Sequence, residues 1–184
     1  MIKALAFIHK KQSLSFQEFQ LYYETQHSPL AKSLLTFESY ERNYTDSIFS
    51  SASNALGSIS IFKYESEKSL EVVAEQMGSS AGDRLREDEL NFMDVSLNFY
   101  VFTDSSEHQA TKFKRKIFYL AKDKDDFKLL ENVEGLAKIS DNLVEGHDRI
   151  IGIPEYGVTQ QINAVDLMAL GKKFPNLILT NCFS

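Results

Sequence analysis

The segment SFQEFQLYYETQHSPLA, residues 15–31, contains the local signals that decide how the chain begins to fold. Ser15 is followed three residues later by Glu18, which is the spacing of a capping box, so we predict that a helix starts at Ser15. At about 100° per residue, one face of this helix collects a mostly apolar stripe, and His27 lies inside it. The stripe consists of Phe16, Phe19, Tyr23, His27, Leu30 and Leu34. A histidine on a face that should be buried requires an explanation.

Pro29 interrupts the helix close to this histidine. It has no amide hydrogen for the carbonyl of Thr25, and its ring crowds that carbonyl in a regular helix. We therefore predict a kink, or a new helix start, at Ser28.

The composition of the 184 residues is that of an ordinary globular protein, with 43% hydrophobic and 25% charged residues. A formal net charge of -6 and a pI near 5.3 argue against nucleic acid and anionic membranes as partners, because both attract clustered Lys and Arg. One basic cluster is present, and we expect it to be a solvated strand edge. It comprises Lys112, Lys114, Arg115 and Lys116.

Cys182 is the only cysteine, so an internal disulfide framework is excluded and a reducing compartment is expected. The apolar run in residues 1–11 is too short for the core of a signal peptide, and no segment approaches membrane-spanning length. These features predict a cytoplasmic protein.

The first half of the chain alternates between strand and helix patterns. β-forming residues with a period of two predict strands, and apolar residues at helical spacing predict helices. Besides the helix from Ser15, the predicted elements are strands at 2–9, 37–44, 58–65 and 97–103 and helices at 66–77 and 83–93.

The second half repeats this order after a polar linker at residues 104–112. The predicted elements are a strand at 116–121, a helix at 125–139, a hairpin of strands 149–153 and 156–162 around Pro154, a helix at 164–174 and a strand at 176–183.

Strand, helix, strand, strand, helix, strand is the order of the ferredoxin-like unit. We therefore predict an α+β fold with two βαββαβ units in tandem, residues 1–104 and 113–184. Each unit leaves one face of its antiparallel sheet uncovered, so the sheets must pair. They could pair within one chain, as an intrachain pseudo-dimer, or between two chains, as a homodimer, and the sequence does not decide between these.

At this point the first half resembles a known family, EthD, within the dimeric α+β barrel superfamily. The specific part is Phe19-x-x-Tyr22-Tyr23-x-x-x-His27-x-Pro29-Leu30 on the first helix. Supporting pieces are Tyr40-x-x-Asn43, Tyr64-Glu65-Ser66 and Asp88-x-x-x-Phe92-x-Asp94. The resemblance covers roughly residues 1–104.

The resemblance implies a cofactor-free enzyme of the cyclase, lyase or isomerase type, which acts on a small aromatic, polyketide-like or lactone compound. The family's motif histidine corresponds to His27 and is the expected acid/base group, with Tyr23, one turn earlier, as its catalytic partner. We expect a small-molecule ligand, no cofactor and no metal. The expected substrate-binding residues are Phe19, Tyr22, Tyr40 and Asn43.

Two interpretations of His27 remain open at this stage. A neutral imidazole in an apolar setting is ready to accept a proton, whereas a core histidine would have both ring nitrogens satisfied by hydrogen bonds. The matching alternatives for the protein are an enzyme, a non-catalytic protein that binds a small hydrophobic ligand, or a structural dimer. The spacing Glu24-x-x-His27 suits a helical metal-ligand pair, but no second such pair occurs.

The predicted helix at 125–139 lacks a counterpart of His27, because Ala137 and Lys138 stand where a histidine would be expected. We therefore expect one active pocket per chain, with the second half acting as a built-in partner.

Overall fold

The first half of the chain forms the elements that its sequence pattern predicts. The computed structural model describes residues 1–46, 55–104, 112–159 and 162–183. In the first half, the strands are β1 (Ile2–His9), β2 (Ser39–Thr45), β3 (Leu56–Tyr64) and β4 (Phe99–Asp104). The helices are α1 (Phe16–Tyr22), α2 (Ser28–Leu34), α3 (Glu67–Met77) and α4 (Ser80–Phe92).

Both predictions for the first helix are confirmed. Ser15 is the N-cap of α1: its side chain accepts the amide hydrogen of Glu18, whose carboxylate accepts that of Ser15. A five-residue π-helical segment, Tyr23–His27, follows, and α2 then starts at Ser28. The amide of Ser28 donates to the carbonyl of Tyr23, five residues back, which fits the local widening that Pro29 imposes.

In the second half, the strands are β5 (Arg115–Tyr119), β6 (Leu136–Ser140), β7 (Leu143–Val144), β8 (Glu155–Val158) and β9 (Leu177–Phe183). The helix α5 (Ala164–Lys173) lies where a helix is predicted. The predicted linker falls mostly on residues 105–111, which lie outside the described residues.

The predicted helix at 125–139 is wrong. Only a short 3-10 turn forms there, Asp125–Lys128, and residues 136–140 are the strand β6. The carboxylates of Asp123 and Asp126 accept backbone amides at 122–126, which competes with helical hydrogen bonds. Gly135 then turns the chain with φ of 85°. The comparison of Ala137 and Lys138 with a helix histidine therefore has no structural basis.

The predicted hairpin around Pro154 is also incorrect in its first strand. Residues 149–153 form only isolated bridges at Gly152, and β8 pairs instead with β6 and β5. The strand order of the second half is thus β6-β8-β5-β9, which matches β2-β3-β1-β4 of the first half, and all these pairs are antiparallel.

The two ferredoxin-like units join into one nine-stranded sheet. β2 pairs with β9, and β4 pairs with β7, so both edges of the first unit are covered by strands of the second half. The order is β6-β8-β5-β9-β2-β3-β1-β4-β7. Because β6 and β7 stand at opposite ends of this order but are only two residues apart in the chain, the sheet must curl back on itself into a barrel.

The interior of the curled sheet is apolar over most of its area. Leu5, Phe7 and Ile59 from the first unit pack against Phe118 and Ile153 from the second in one cluster of buried side chains. The helices cover the outer face, where a second cluster includes Phe19, Tyr23 and Phe92.

Charged side chains from both units meet inside the barrel. The ammonium group of Lys3 lies 2.8 Å from Glu155, and that of Lys116 lies 2.9 Å from Glu155 and 2.6 Å from Glu41. Lys116 is 6% exposed, so its predicted place on a solvated strand edge is wrong. Burial raises the pKa of Glu155, but the two ammonium groups outweigh it and bring the pKa to about 2.

None of the helices in the described part of the chain is long and apolar enough to cross a membrane.

Candidate functional site

The π-helical segment turns Tyr23 and His27 inward against the sheet. Tyr23 is 1% exposed and His27 is 5% exposed. Their rings are 5.0 Å apart at 76°, and the His27 ring also lies 5.0 Å from that of Phe92 on α4. The histidine therefore sits between α4 and the first helix, where the apolar stripe predicts it.

Asp88 on α4 holds the imidazole in place. Nδ1 of His27 lies 2.8 Å from one carboxylate oxygen of Asp88, and the hydroxyl of Tyr22 donates to the other oxygen at 2.7 Å. The side chain of Asn91 donates to that hydroxyl at 3.1 Å. Because both carboxylate oxygens are engaged, Asp88 fixes the orientation of the ring.

This geometry determines the protonation of a neutral His27. An unprotonated carboxylate accepts only, so Nδ1 carries the hydrogen and Nε2 carries the lone pair. Nε2 has no hydrogen-bond partner among the residues that the structure describes. Burial lowers the pKa of His27, and the charge of Asp88 offsets this in part, which favours the neutral imidazole. The ring is thus arranged to accept a proton at Nε2.

A chain of hydroxyl groups begins beside the histidine. The hydroxyl of Tyr40 donates to that of Tyr23 at 2.9 Å, and the Tyr23 hydroxyl lies 2.9 Å from Oγ of Ser60 on β3. Burial raises the pKa of Tyr23 to about 12, against the hydrogen bonds from Ser60 and Tyr40. Tyr23 is therefore a neutral phenol, which can donate a hydrogen bond but cannot act as a base near neutral pH.

Glu24 belongs to a separate ion pair. Arg42 donates to both of its carboxylate oxygens, at 2.9 and 2.8 Å, and the Tyr44 hydroxyl donates at 2.6 Å. Burial raises the pKa of Glu24, but these hydrogen bonds and the charge of Arg42 lower it overall. The structure thus directs Glu24 away from His27, and the two do not form a ligand pair.

The structure brings together four of the other residues singled out in the sequence. Tyr23 contacts His27, and Tyr22 shares its partner Asp88. Phe19 and Tyr40 contact Tyr23, Phe19 at 5.6 Å edge to face and Tyr40 by a hydrogen bond. Asn43 is different: it alternates with Tyr40 and Tyr44 along β2, and its side chain donates to Glu41 inside the barrel. Asn43 is therefore on the opposite face of the sheet from His27.

Asp88, Arg42 and Ser60 contribute to the site, although the sequence alone predicts no role for them. Asp88 is part of the family motif, and its spacing from Leu85 and Phe92 would place it on the inward face of α4. Arg42 and Ser60 lie on strands, and their partners come from distant parts of the chain. No local pattern identifies such pairs.

Two cavities lie elsewhere on the molecule. One of about 610 Å³ is lined by β4 and the loop at 145–147, and one of about 400 Å³ lies beside α5. Neither includes His27. Within the described residues, no three His, Cys, Asp or Glu side chains are grouped as metal ligands would be.

Comparison with solved structures shows the fold of the whole chain. A chlorite dismutase candidate is 9% identical, with a TM-score of 0.56 over 99% of this chain and 94% of that one. A monooxygenase candidate from Fusobacterium nucleatum is 8% identical, with a TM-score of 0.53 over 98% and 90%. At these identities the likeness concerns architecture alone.

The sequence comparison concerns the first half. An EthD family protein from Bacillus halodurans is 17% identical, with a TM-score of 0.42 over 56% of this chain and 98% of that one. No curated protein sequence matches. The family description EthD domain matches residues 11–96, which contain the whole His27 site. Over residues 11–96 this chain is therefore similar to the EthD domain, and the chain as a whole has the α+β architecture of the two solved structures above.

Proposed function

We propose that this protein is a cofactor-independent enzyme that uses His27 to move a proton on a small aromatic, polyketide-like or lactone compound. The reaction is a cyclase, lyase or isomerase step. The observation that carries the proposal is the asymmetry of the imidazole, since Nδ1 is fixed by Asp88 while Nε2 has no partner among the described residues.

Nε2 of His27 is unpaired but is not among the fully buried unpaired atoms of the described residues, so the second nitrogen faces accessible space and is not consumed by the fold. An oriented imidazole whose second nitrogen is unpaired is the arrangement of a general base. Asp88 stabilises the imidazolium that forms when Nε2 takes a proton, because its carboxylate lies 2.8 Å from Nδ1.

Tyr23 has a supporting role in this proposal. Its neutral phenol can donate a hydrogen bond to a substrate oxygen on which negative charge develops. The hydroxyl of Tyr40 donates a hydrogen bond to the Tyr23 hydroxyl and so stabilises the negative charge that develops on it. Phe19, Tyr22 and Phe92 pack against one another beside this pair and make its surroundings aromatic.

The His27 side chain is 7% exposed, and Nε2 is not among the fully buried unpaired polar atoms of the described residues, so a ligand can approach this nitrogen. The partly buried Tyr22 stands where the first helix and α4 meet solvent, with its hydroxyl on Asp88. We propose that the ligand enters there, between the first helix and α4. A cytoplasmic location is part of the proposal and is supported by the free thiol of Cys182.

Proton exchange with solvent tests the proposal even while the natural substrate is unidentified. Acetophenone and α-angelica lactone are incubated with the protein in D₂O, and deuterium uptake next to the carbonyl is followed by mass spectrometry. The wild type should accelerate exchange of at least one probe, and His27→Gln should slow that exchange about a hundredfold or more. His147→Gln, far from the site, is the control and should match the wild type.

The same variants separate catalysis from simple binding. A binding protein needs only shape and one hydrogen bond at residue 27, so His27→Gln would leave its ligand affinity largely intact. If the wild type accelerates exchange of neither probe, or if His27→Gln is as fast as the wild type, the catalytic proposal is refuted.

A further inference from the structure

Two carboxyl groups of helix α4 lie on the side of the candidate site. One is that of Asp88, which pairs with His27, and the other is that of Glu89. Leu85 and Phe92 are 2% and 0% exposed and mark the inward line of the helix. At about 100° per residue, Asp88 and Glu89 fall on either side of this line, each within roughly 60° of it. Glu89 therefore shares the face that packs against the π-helical segment.

Glu89 lacks a hydrogen-bond or ion-pair partner within the part of the chain that the structure describes. Its side chain is nevertheless partly buried. Arg86, one turn earlier, is engaged by Asp83 at 2.8 Å and by the carbonyl of Met77 at 3.0 Å. A partly buried carboxyl without a partner is costly to fold, which is typical of a residue that is kept for function.

The surroundings of Glu89 raise the pKa of its carboxyl. Burial raises its pKa, the charge of Asp88 raises it further, and Arg86 opposes them only in part. Across the helix interface, the charge of Glu89 also raises the pKa of Tyr23, so the two groups are close enough to interact. His27 and Glu89 thus have opposite tendencies: the pKa of the imidazole is lowered, and the pKa of the carboxyl is raised.

We propose that Glu89 is a second catalytic residue of this site, the general acid that acts opposite His27 on a carbonyl compound. This inference rests on the proposed function. It specifies the substrate class as one with a carbonyl oxygen that takes a proton while the adjacent carbon loses one.

The proton balance can be written for an isomerisation of an unsaturated lactone. Nε2 of His27 removes a proton from the carbon next to the carbonyl, and the electrons of that C–H bond move to form the enol, whose oxygen takes the proton of Glu89. The enol oxygen then returns that proton to Glu89 as the imidazolium of His27 delivers its proton to the γ-carbon. No oxidant, reductant or other reactant is needed, and both residues end in their starting states.

The isomerisation of α-angelica lactone to its conjugated isomer is the direct test, because the two isomers have different proton NMR spectra. The variants are Glu89→Gln, Glu89→Asp and, as a control, Glu87→Gln, which changes the same residue type at an exposed position of the same helix. Rates are measured across pH, and the melting temperature of each variant is recorded.

Glu89→Gln should lower the rate about a hundredfold at an unchanged melting temperature, and it should remove the fall in rate at high pH that reports ionisation of the acid. Glu89→Asp keeps a carboxyl and should retain part of the rate and the high-pH fall. Glu87→Gln should match the wild type.

The outcomes separate this inference from the proposed function. If the wild type works and His27→Gln does not, while Glu89→Gln has the rate and pH profile of Glu87→Gln, then Glu89 is not the acid and the role of His27 stands. If the wild type does not isomerise the lactone and does not exchange either probe, both proposals are refuted.

Discussion

The buried ion network predicts a large and pH-dependent loss of stability in Glu155→Gln. The carboxylate of Glu155 joins Lys3 of the first unit to Lys116 of the second, at 2.8 and 2.9 Å, and its side chain is 1% exposed. Removing its charge leaves Lys3, whose side chain is 3% exposed, without any other ion-pair partner among the described residues. Lys116 retains Glu41.

Two estimates of this loss of stability agree, one from the pKa of Glu155 and one from buried ion pairs in other proteins. A carboxyl whose pKa falls from its ordinary 4.5 to about 2 contributes about 3 kcal/mol to stability at neutral pH. Breaking a buried ion pair by removing one partner costs about 3 to 5 kcal/mol in other proteins. We therefore expect Glu155→Gln to lower the free energy of unfolding by about 3 kcal/mol at pH 7.

The pH dependence has a definite sign. Because the pKa of Glu155 is lower in the folded chain than in the unfolded one, its contribution is fully present above about pH 4.5 and is lost as the pH falls towards 2. The variant lacks this group, so its disadvantage relative to the wild type should shrink over that range.

Urea unfolding at pH 7 and at several acidic pH values measures both effects. Glu131→Gln is the matched control, because Glu131 pairs with Lys138 at 2.6 Å but is 38% exposed, and its loss should cost less than about 1 kcal/mol. If Glu155→Gln is no more destabilising than Glu131→Gln, the two units are not joined through this buried carboxylate and the reasoning fails.

Two further predictions concern residues 11–96. Asp88→Asn removes the charge that partly offsets burial, so the pKa of His27 should fall further below its ordinary value in an NMR titration of the imidazole; an unchanged or higher pKa would contradict the pairing. Gly57→Ala places a methyl group 2.5 Å from Cε1 of the buried Phe19 ring, so the free energy of unfolding in urea should fall by about 1 to 3 kcal/mol. Gly78→Ala is the control: its methyl group meets nothing nearer than 3.4 Å, and the free energy of unfolding should hardly change.

Local signals in the sequence predict most of the first unit. The capping box at Ser15, the ring of Pro29 and the apolar stripe act within a few residues of each other, so they fix the helix start, its interruption and the inward direction of His27. The structure confirms each of these.

The errors lie where distant residues decide the outcome. Residues 125–139 carry apolar spacing that suits a helix, but the aspartate turns, Gly135 and pairing with β8 override it. Lys116 looks like a surface residue because its partners, Glu155 and Glu41, come from strands far along the chain. A cluster of charged residues in a sequence does not indicate ion pairs with residues from distant strands.

The sequence predicts only part of the candidate site, because some of its residues are brought together from distant positions in the chain. Helical spacing places His27 and Tyr23 on one inward face, but the partner of His27 is Asp88, 61 residues later, on a different helix. Asn43 belongs to the same motif as Tyr40, but neighbouring positions of a strand face opposite sides of the sheet. Its side chain therefore points into the barrel and not towards His27.

The central claim is that the proton accepted in catalysis goes to His27 in its arrangement with Asp88. The most direct test compares the pH dependence of deuterium exchange with the NMR titration of His27, in the wild type and in Asp88→Asn. The account predicts that the rate rises with pH through the pKa of His27 and that both midpoints move down together in Asp88→Asn. A rate whose midpoint does not follow that of His27 would contradict it.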